Sequence, residues 1–152
     1  MLQRIQTIYL LLVSFLNALL LFMPLATVQL NGDFYSFDIA GVQSMNGESE
    51  LIPTWGLLIL SVSISLIAFV TVFLYKKRML QIRMSVFNAI LMISFYGLFA
   101  YLVWVMKGQV EGIIISLKFA ASFPLVALIL DYLAIRNIGA DETLIRSLNR
   151  LR

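Results

Sequence analysis

Four long runs of apolar residues, separated by polar segments, dominate the sequence. They extend over about residues 5–25, 54–75, 84–106 and 113–135. Each run has about the 20 apolar residues with which an α-helix crosses the hydrocarbon core of a bilayer. The pattern therefore predicts an all-α membrane protein, a single domain built as a bundle of four transmembrane helices. Lys118 and Asp131 interrupt the fourth run.

The polar segment at about residues 26–53 carries the turn signals of a small β-structure. It contains two Asn-Gly pairs, Asn31-Gly32 and Asn46-Gly47, each between stretches of high β-propensity. Asn-Gly is typical of the type I′ turn of a two-residue hairpin, which requires a positive φ at both central positions. We therefore predict a three-stranded β-meander over the outer ends of the helices, with two opposing pairs of residues: Val28 with Tyr35, and Val42 with Leu51.

The distribution of charge along the chain predicts its orientation in the membrane. Nine of the eleven basic residues fall on one side of a four-span protein: Arg4, Lys76, Lys77, Arg78, Arg83, Arg136, Arg146, Arg150 and Arg152. The segment between the first two spans has no basic residue but four acidic ones: Asp33, Asp38, Glu48 and Glu50. Because cytoplasmic loops are enriched in Lys and Arg, both termini are predicted to be cytoplasmic. The four acids are then solvated exterior residues, part of a docking surface, or a cation site.

The first apolar run has a second interpretation, a cleaved signal peptide, because it follows the basic residue Arg4. Its apolar stretch is longer than the roughly 7–15 residues usual for such a segment. The tripeptide Pro24-Leu25-Ala26 is also a poor cleavage site, which requires small residues at its first and third positions. We therefore expect the run to be retained as a membrane span.

The composition supports a location in the lipid bilayer and excludes several kinds of catalytic and metal-binding site. Hydrophobic residues make up 61% of the 152 residues and charged residues 12%, which is too apolar for a soluble domain. The chain contains no histidine and no cysteine, which excludes histidine-based catalysis, haem held by histidine or cysteine, cysteine-bound Fe–S clusters and zinc sites with nitrogen or sulfur ligands. A non-enzymatic protein without cofactor or metal is therefore expected. The net charge of +3 indicates membrane topology rather than a nucleic-acid partner.

The two ionisable residues of the fourth run are candidate functional residues, because charges at membrane depth are costly. Lys118 would lie five residues inside the span, within reach of the outer interface by its long stem. Asp131 would need a cationic partner, to be found in a set of five: Arg4, Lys76, Lys77, Arg78 and Arg83. A relay between Lys118 and Asp131 is disfavoured, since thirteen helical residues would separate them by about 20 Å on nearly opposite faces.

Smaller polar residues recur on single faces of the predicted helices. They are Thr7, Ser14 and Asn17 on the first, Ser61 and Ser65 on the second, Ser85 and Asn88 on the third, and Ser116, Ala120 and Pro124 on the fourth. Small and hydroxylic residues allow membrane helices to pack closely and to form hydrogen bonds with each other. We interpret them as packing positions, with a ligand site as the alternative. Pro124 is expected to kink the fourth helix.

The last residues are predicted to form a separate amphipathic helix. Residues 137–140 would break the fourth span, and Asp141 would cap a new helix over 141–152. An apolar stripe would be formed by Leu144, Ile145, Leu148 and Leu151, with Arg146, Arg150 and Arg152 largely off it. Such a helix rests on anionic headgroups as an anchor of the topology, or it docks a partner protein.

Two terminal motifs carry a resemblance to a known family. They are Gln3-Arg4-Ile5-Gln6-Thr7 at the start, and Asp141-Glu142 followed by Arg146-Ser147 and Asn149-Arg150-Leu151-Arg152 at the end. The whole chain resembles a family of small integral membrane proteins of Bacteroidota that is catalogued as a domain of unknown function. The family usually has an aspartate at the position of Asn149. The resemblance implies a location in the bacterial inner membrane and suggests that specificity lies at the cytoplasmic ends.

These patterns together predict an accessory, scaffold or assembly subunit of a larger inner-membrane complex. Its partners would be the lipid bilayer and other integral membrane proteins. The candidate docking residues are Arg4, Asp141, Glu142, Arg146, Arg150 and Arg152. The alternative function is a small transporter or lipid-binding protein that uses Asp131.

Overall fold

The computed structural model describes residues 2–30, 33–44, 50–109 and 112–150, and it is mostly helical. Four helices form an up-and-down bundle: α1 (Leu2–Leu20), α2 (Trp55–Phe73), α3 (Arg78–Gln109) and α4 (Phe123–Arg150). α2 and α3 are joined by a 3-10 helical turn, Leu74–Lys76. α1 packs against both α2 and α4, and α3 packs against α2 and α4. This arrangement brings the start of α1 and the end of α4 to one end of the bundle.

Three of the described helical segments are long and apolar enough to cross a membrane: Trp55–Phe73, Arg78–Gly108 and Phe119–Leu144. The apolar part of α1, Ile5–Leu20, is shorter. The span predicted over residues 5–25 therefore ends too late. The chain leaves the helix at Leu20 and enters a strand at Ala26, within the predicted span.

A five-stranded antiparallel sheet covers one end of the bundle, which we call the sheet end. Its strands are β1 (Ala26–Leu30), β2 (Asp33–Phe37), β3 (Gly41–Ser44), β4 (Glu50–Pro53) and β5 (Ile114–Leu117), in the order β4-β3-β2-β1-β5. The prediction of a three-stranded meander was therefore too small. Residues 26–53 supply four strands, and the fifth comes from the region predicted as the start of the fourth span.

The predicted registers of the two hairpins had different outcomes. Val28 lies opposite Tyr35, as predicted. Val42 lies opposite Ile52 rather than Leu51, because a bulge shifts the register between Val42 and Gln43. The turns themselves, with Asn31-Gly32 and Asn46-Gly47, lie outside the described residues.

The prediction of an unbroken fourth span over residues 113–135 was wrong at its start. Residues 114–117 form β5, which pairs with β1 and places Ile115 opposite Val28. A 3-10 turn, Phe119–Ser122, follows, and α4 begins at Phe123. Pro124 thus lies in the first turn of α4, where its missing N–H has no helical partner to lose, and it does not kink the helix. Ser116 lies on the strand and shares no helix face with Ala120 and Pro124.

Buried positions follow one stripe on each helix at alternating intervals of three and four. On α2 they are Leu57, Ser61, Ile64, Ala68 and Thr71, and on α4 they are Pro124, Ala127, Asp131, Ala134 and Ile138. This spacing is typical of helices that pack side by side at a shallow angle. Large apolar side chains such as Leu66, Ile93 and Ile129 are exposed on the outer surface of the bundle. Such a surface suits lipid as its solvent.

Buried aromatic rings and backbone hydrogen bonds join the sheet to the bundle. Phe37 of β2 is 0% exposed, and its ring meets that of Phe99 of α3 edge to face at 5.3 Å. The Leu25 N–H donates to the Phe37 carbonyl at 2.8 Å, and the Lys118 N–H donates to the Leu25 carbonyl at 2.9 Å. The Thr54 hydroxyl donates to the Ile39 carbonyl at 2.7 Å immediately before α2 begins. The sheet is therefore an integral layer of the fold.

The predicted break at residues 137–140 is not present. α4 continues without interruption from Phe123 to Arg150, so Asp141 lies inside a helix and caps nothing. Gly139 is tolerated in a helix interior at a cost of about 1 kcal/mol relative to alanine. Ile138 immediately before it is fully buried, which offsets that cost. The tail is an extension of α4, and we call the end of the bundle where it emerges the tail end.

Candidate functional site

Asp131 is the most unusual side chain in the bundle interior. It is 0% exposed and lies on the buried stripe of α4 between Ala127 and Ala134, which are also fully buried. Neither carboxyl oxygen has a hydrogen-bond partner within the described part of the chain. A carboxyl group taken out of water without a partner destabilises the fold unless it is neutral or binds a cation. The residue therefore meets the physical description of a functional intramembrane group.

Polar side chains of α3 lie beside this carboxyl group. Ser85 is near enough to interact with it. The Ser85 hydroxyl nevertheless forms no hydrogen bond of accepted geometry with any described residue. One turn further along the same stripe, Asn88 is 1% exposed and both of its amide atoms are unpaired within the described residues. α3 and α4 thus share a patch of buried donors and acceptors, which we call the interior polar patch: Ser85, Asn88 and Asp131.

The predicted cationic partner of Asp131 is not found among the described residues. Arg78 instead forms an ion pair with Asp141, with a distance of 3.4 Å between Nη1 and Oδ2. Lys77 and Arg83 are exposed, whereas Asp131 is buried. The side chains of Arg4 and Lys76, the other two candidates, lie outside the described residues. Arg78 is thus paired with a carboxylate nearer the end of the bundle, and a partner for Asp131 among the five basic residues stays a prediction.

Other buried polar residues act as packing contacts between or within helices. The Ser14 hydroxyl of α1 donates to the Ser65 carbonyl of α2 at 3.2 Å, and the Ser65 hydroxyl donates to the Ser14 carbonyl at 3.3 Å. The Asn17 amide donates to the Val13 carbonyl of its own helix at 2.8 Å. These bonds confirm the packing interpretation for Ser14 and Ser65. Ser61 is buried on the same helix as Ser65.

Two buried glutamines were not among the predicted polar positions. Gln6 of α1 is 4% exposed and its Nε2 has no partner within the described residues, and Gln81 of α3 is 3% exposed. The sequence signal that would have identified them is their helical spacing from other buried residues. Gln6 lies four residues before buried Leu10, and Gln81 lies four residues before buried Ser85.

Lys118, the second predicted intramembrane residue, does not lie within a helix. It has extended backbone angles, φ −92° and ψ 163°, between β5 and the 3-10 turn, and its side chain is exposed at the sheet end. The backbone places Lys118 before the start of α4. Its side chain therefore does not have to extend from within a membrane span to reach the interface. A helical relay between Lys118 and Asp131 is therefore not formed.

The candidate docking residues gather at the tail end. Asp141 is partly buried by its ion pair with Arg78, and Glu142 beside it is also partly buried. Arg4 lies in the first turns of α1, and Arg146 and Arg150 lie in the last turns of α4, so the fold brings the two terminal motifs to the same end. The side chains of these three arginines are outside the described residues, and so is the whole of Arg152.

The acidic residues of the segment at about residues 26–53 do not form a cation site among the described residues. Asp33 is exposed, and Asp38 accepts a hydrogen bond from the Ser36 hydroxyl at 2.9 Å. Glu48 and the side chain of Glu50 lie outside the described residues. No group of three or more potential metal ligands occurs in the described part of the chain.

Comparisons with known proteins assign the chain to a family without assigning it an activity. Neither the search of curated proteins nor the search of solved structures found a match. The family model that does match is described as a domain of unknown function, DUF4293, and it covers residues 2–151. The match extends over almost the entire chain, from the first turn of α1 to the last residues of the tail. The protein therefore belongs to the DUF4293 family.

Proposed function

We propose that this protein is a non-enzymatic accessory, scaffold or assembly subunit of a larger complex in the bacterial inner membrane. It crosses the membrane four times with both termini in the cytoplasm and requires no cofactor. The observation that carries the proposal is the continuity of α4, which runs as one helix from Phe123 to Arg150. A helix of this kind extends a partner-binding segment rigidly away from the membrane.

The lengths of the helices support such a projection. α4 has 28 residues and α3 has 32. At 1.5 Å per residue these helices are about 42 and 48 Å long, whereas the hydrocarbon core is about 30 Å thick. The excess length carries the terminal motif of α4 beyond the lipid.

Contacts at the tail end favour an ordered projection. The ion pair between Arg78 and Asp141 connects the start of α3 to α4. Beyond it, Leu144 is 56% exposed on a helix that also carries Arg146 and Arg150. An exposed leucine flanked by basic residues is the composition of a binding surface for an acidic partner segment. Because the helix is already formed, binding costs less conformational entropy than it would for a flexible tail.

The proposal predicts that the basic residues of the tail are needed for partner recovery. Replacing Arg146, Arg150 and Arg152 together with alanine is expected to lower the recovery of partner proteins roughly tenfold or more, since each exposed ion pair contributes up to about 1 kcal/mol. The measurement is purification from native membranes in mild detergent with quantitative mass spectrometry. Insertion into the membrane is checked in the same samples.

A matched control removes the same charge from the same end of the bundle. Lys77, Arg83 and Arg136 are exposed basic residues outside the tail motif. Their combined replacement by alanine also lowers the net charge by three, and it is expected to leave partner recovery near the wild-type level. Equal recovery with the tail variant and the wild type would contradict the docking role.

A second candidate function is proton-coupled or cation-coupled transport through Asp131. The carboxyl group of the interior polar patch favours it, since it is buried and has no hydrogen-bond partner in the part of the chain that the structure describes. On this hypothesis the carboxyl group binds and releases a proton or a small cation as the bundle opens to either side.

Transport is tested with the purified chain in vesicles of phosphatidylethanolamine and phosphatidylglycerol that contain a pH-sensitive dye. Under an imposed membrane potential, a carrier that uses Asp131 should acidify the vesicle lumen, and Asp131→Asn should lower that rate at least about tenfold. Asp141→Asn, on the same helix but outside the interior polar patch, is the control and should transport normally. No difference between wild-type and protein-free vesicles would eliminate proton conduction through Asp131.

A further inference from the structure

An apolar groove runs along the bundle surface at the sheet end, between α3 and the segment that leads from β5 into the start of α4. It has a volume of about 520 Å³ and is lined by Tyr96, Phe99 and Ala100 of α3 and by Lys118, Ala121 and Leu125 on the other side. Its volume is within the range of about 300–1,000 Å³ that ligand sites occupy. Leu117 and Leu125 on its edge are 67% and 54% exposed, so the groove opens on the face of the bundle that lipid surrounds.

The walls of the groove present apolar surface to an occupant. The Tyr96 hydroxyl already donates to the Ala121 carbonyl at 2.8 Å. The Ser122 hydroxyl, which also lines the groove, donates to the Phe119 carbonyl at 2.6 Å. Neither hydroxyl needs a hydrogen bond from the occupant. A hydrocarbon chain fits such a surface, whereas a polar solute would lose its hydration without compensation.

One cationic side chain marks the end of the groove. Lys118 is held in place by its backbone N–H, which donates to the Leu25 carbonyl, and by its carbonyl, which accepts from the Ala121 N–H. Its side chain is exposed, and no carboxylate in the described part of the chain forms an ion pair with it. The ammonium group is therefore available to an anion located where the groove ends.

Aromatic residues place this cation at the level of the lipid headgroups. Phe119 is 81% exposed and packs edge to face on Phe123, and Trp104 of α3 is 73% exposed at the same end of the bundle. An exposed tryptophan at a helix end is typical of the boundary between hydrocarbon and headgroups. From Lys118 the groove then extends towards the hydrocarbon as far as Leu125, in the first turn of α4.

We propose that this groove is a binding site for a single anionic phospholipid, with an acyl chain between α3 and α4 and the phosphate against Lys118. The site goes beyond the function proposed above, since it lies at the sheet end and involves no residue of the tail. Bound lipid fills the gap between the outer parts of α3 and α4 and so completes the bundle surface. On this proposal Lys118, which is not part of a helix, binds the phosphate of the lipid headgroup.

The test uses phosphatidylglycerol as the probe and native mass spectrometry of the full chain released from nanodiscs. The discs contain phosphatidylcholine and phosphatidylglycerol in a ratio of four to one. Wild-type protein is expected to retain one phosphatidylglycerol molecule in preference to phosphatidylcholine. Lys118→Gln should lower the retained phosphatidylglycerol about fivefold, the effect of one basic residue at a headgroup.

Two further variants separate the groove from general attraction to the membrane. Lys107→Gln removes another exposed cation near the same end of α3 but outside the groove, and it should leave lipid retention unchanged. Ala100→Phe fills the groove and should abolish retention of both lipids while Lys118 is intact. Circular dichroism confirms that each variant is folded.

Four results would overturn the proposal. The first is retention of the two lipids by the wild type in the four-to-one ratio of the discs, because the cation would then select nothing. The second is an equal loss in Lys107→Gln, which would indicate attraction to the whole surface. The third is retained lipid in Ala100→Phe, because the lipid would then bind outside the groove. The fourth is a wild-type mass that corresponds to two chains without lipid, which would assign the groove to contact with a second copy.

Discussion

Replacing Phe37 with alanine is expected to lower the free energy of unfolding by about 3–5 kcal/mol, the range for removing a fully buried phenylalanine side chain. Phe37 is 0% exposed and lies where the sheet meets the bundle. Its ring contacts that of Phe99 edge to face at 5.3 Å, a geometry that adds to the energy of burial. The variant loses both the buried apolar surface and the main aromatic contact between β2 and α3.

Unfolding is measured by circular dichroism in a non-ionic detergent with increasing amounts of sodium dodecyl sulfate. The control is Phe34→Ala, which removes the same side chain from the same strand at a position that is 52% exposed. Because Phe34 already contacts solvent or lipid, its loss should cost less than about 1 kcal/mol. Comparable destabilisation by the two substitutions would show that the sheet does not pack on the bundle through Phe37.

Replacing Asp131 with alanine is expected to stabilise the fold by about 1–3 kcal/mol, the cost of leaving a buried polar group unpaired. Both carboxyl oxygens are buried without a hydrogen-bond partner in the described part of the chain. Alanine continues the stripe already formed by Ala127 and Ala134, and it has a higher helix propensity than aspartate. The cavity left by the missing carboxyl group reduces the gain without reversing its sign.

The control for this substitution is Asp141→Ala on the same helix. Asp141 is ion-paired with Arg78 and partly accessible to solvent. Its replacement should therefore destabilise the protein slightly, by about 0–1 kcal/mol. The two alanine substitutions are therefore expected to change the free energy of unfolding in opposite directions. Marked destabilisation by Asp131→Ala would mean that the carboxyl group binds a cation or another partner that stabilises the folded state.

A gain in stability at Asp131 would also bear on the choice between the two proposed functions. A residue that destabilises the fold persists when it performs a task, since activity and stability are often opposed at functional sites. A scaffold subunit should keep its partners in Asp131→Ala, whereas a carrier should lose transport. Stability, partner recovery and transport measured on this one variant therefore separate a structural subunit from a transporter.

The membrane location and the helical segments followed from local patterns of residues. Apolar runs at 54–75 and 84–106 correspond to α2 and the middle of α3, because the hydrophobic length of a span is a property of the run itself. The register of Val28 with Tyr35 also follows from a local signal, a two-residue turn between adjacent strands. These features need no information from distant parts of the chain.

The errors at β5 and at the tail have a common physical origin. Ile114–Leu117 is apolar enough to begin a helix, but its backbone pairs with β1, a strand far away in the sequence that no local pattern identifies. Residues 137–140 include Asn137 and Gly139, which favour a break, but burial of Ile138 in the bundle keeps the helix continuous. In both places a tertiary contact outweighs a local preference of about 1 kcal/mol or less.

The sequence by itself determined that lipid is the solvent of this protein, because 61% of its residues are hydrophobic. It also excluded chemistry that requires histidine or cysteine, because the chain contains neither residue. Only the tertiary structure decided which polar residues have partners. Arg78 pairs with Asp141, Asp131 has no partner among the described residues, and Lys118 lies at the end of a groove rather than within a span. The reason is geometric, because the partners of a side chain depend on how helices and strands are arranged around it. Composition and periodicity do not specify that arrangement.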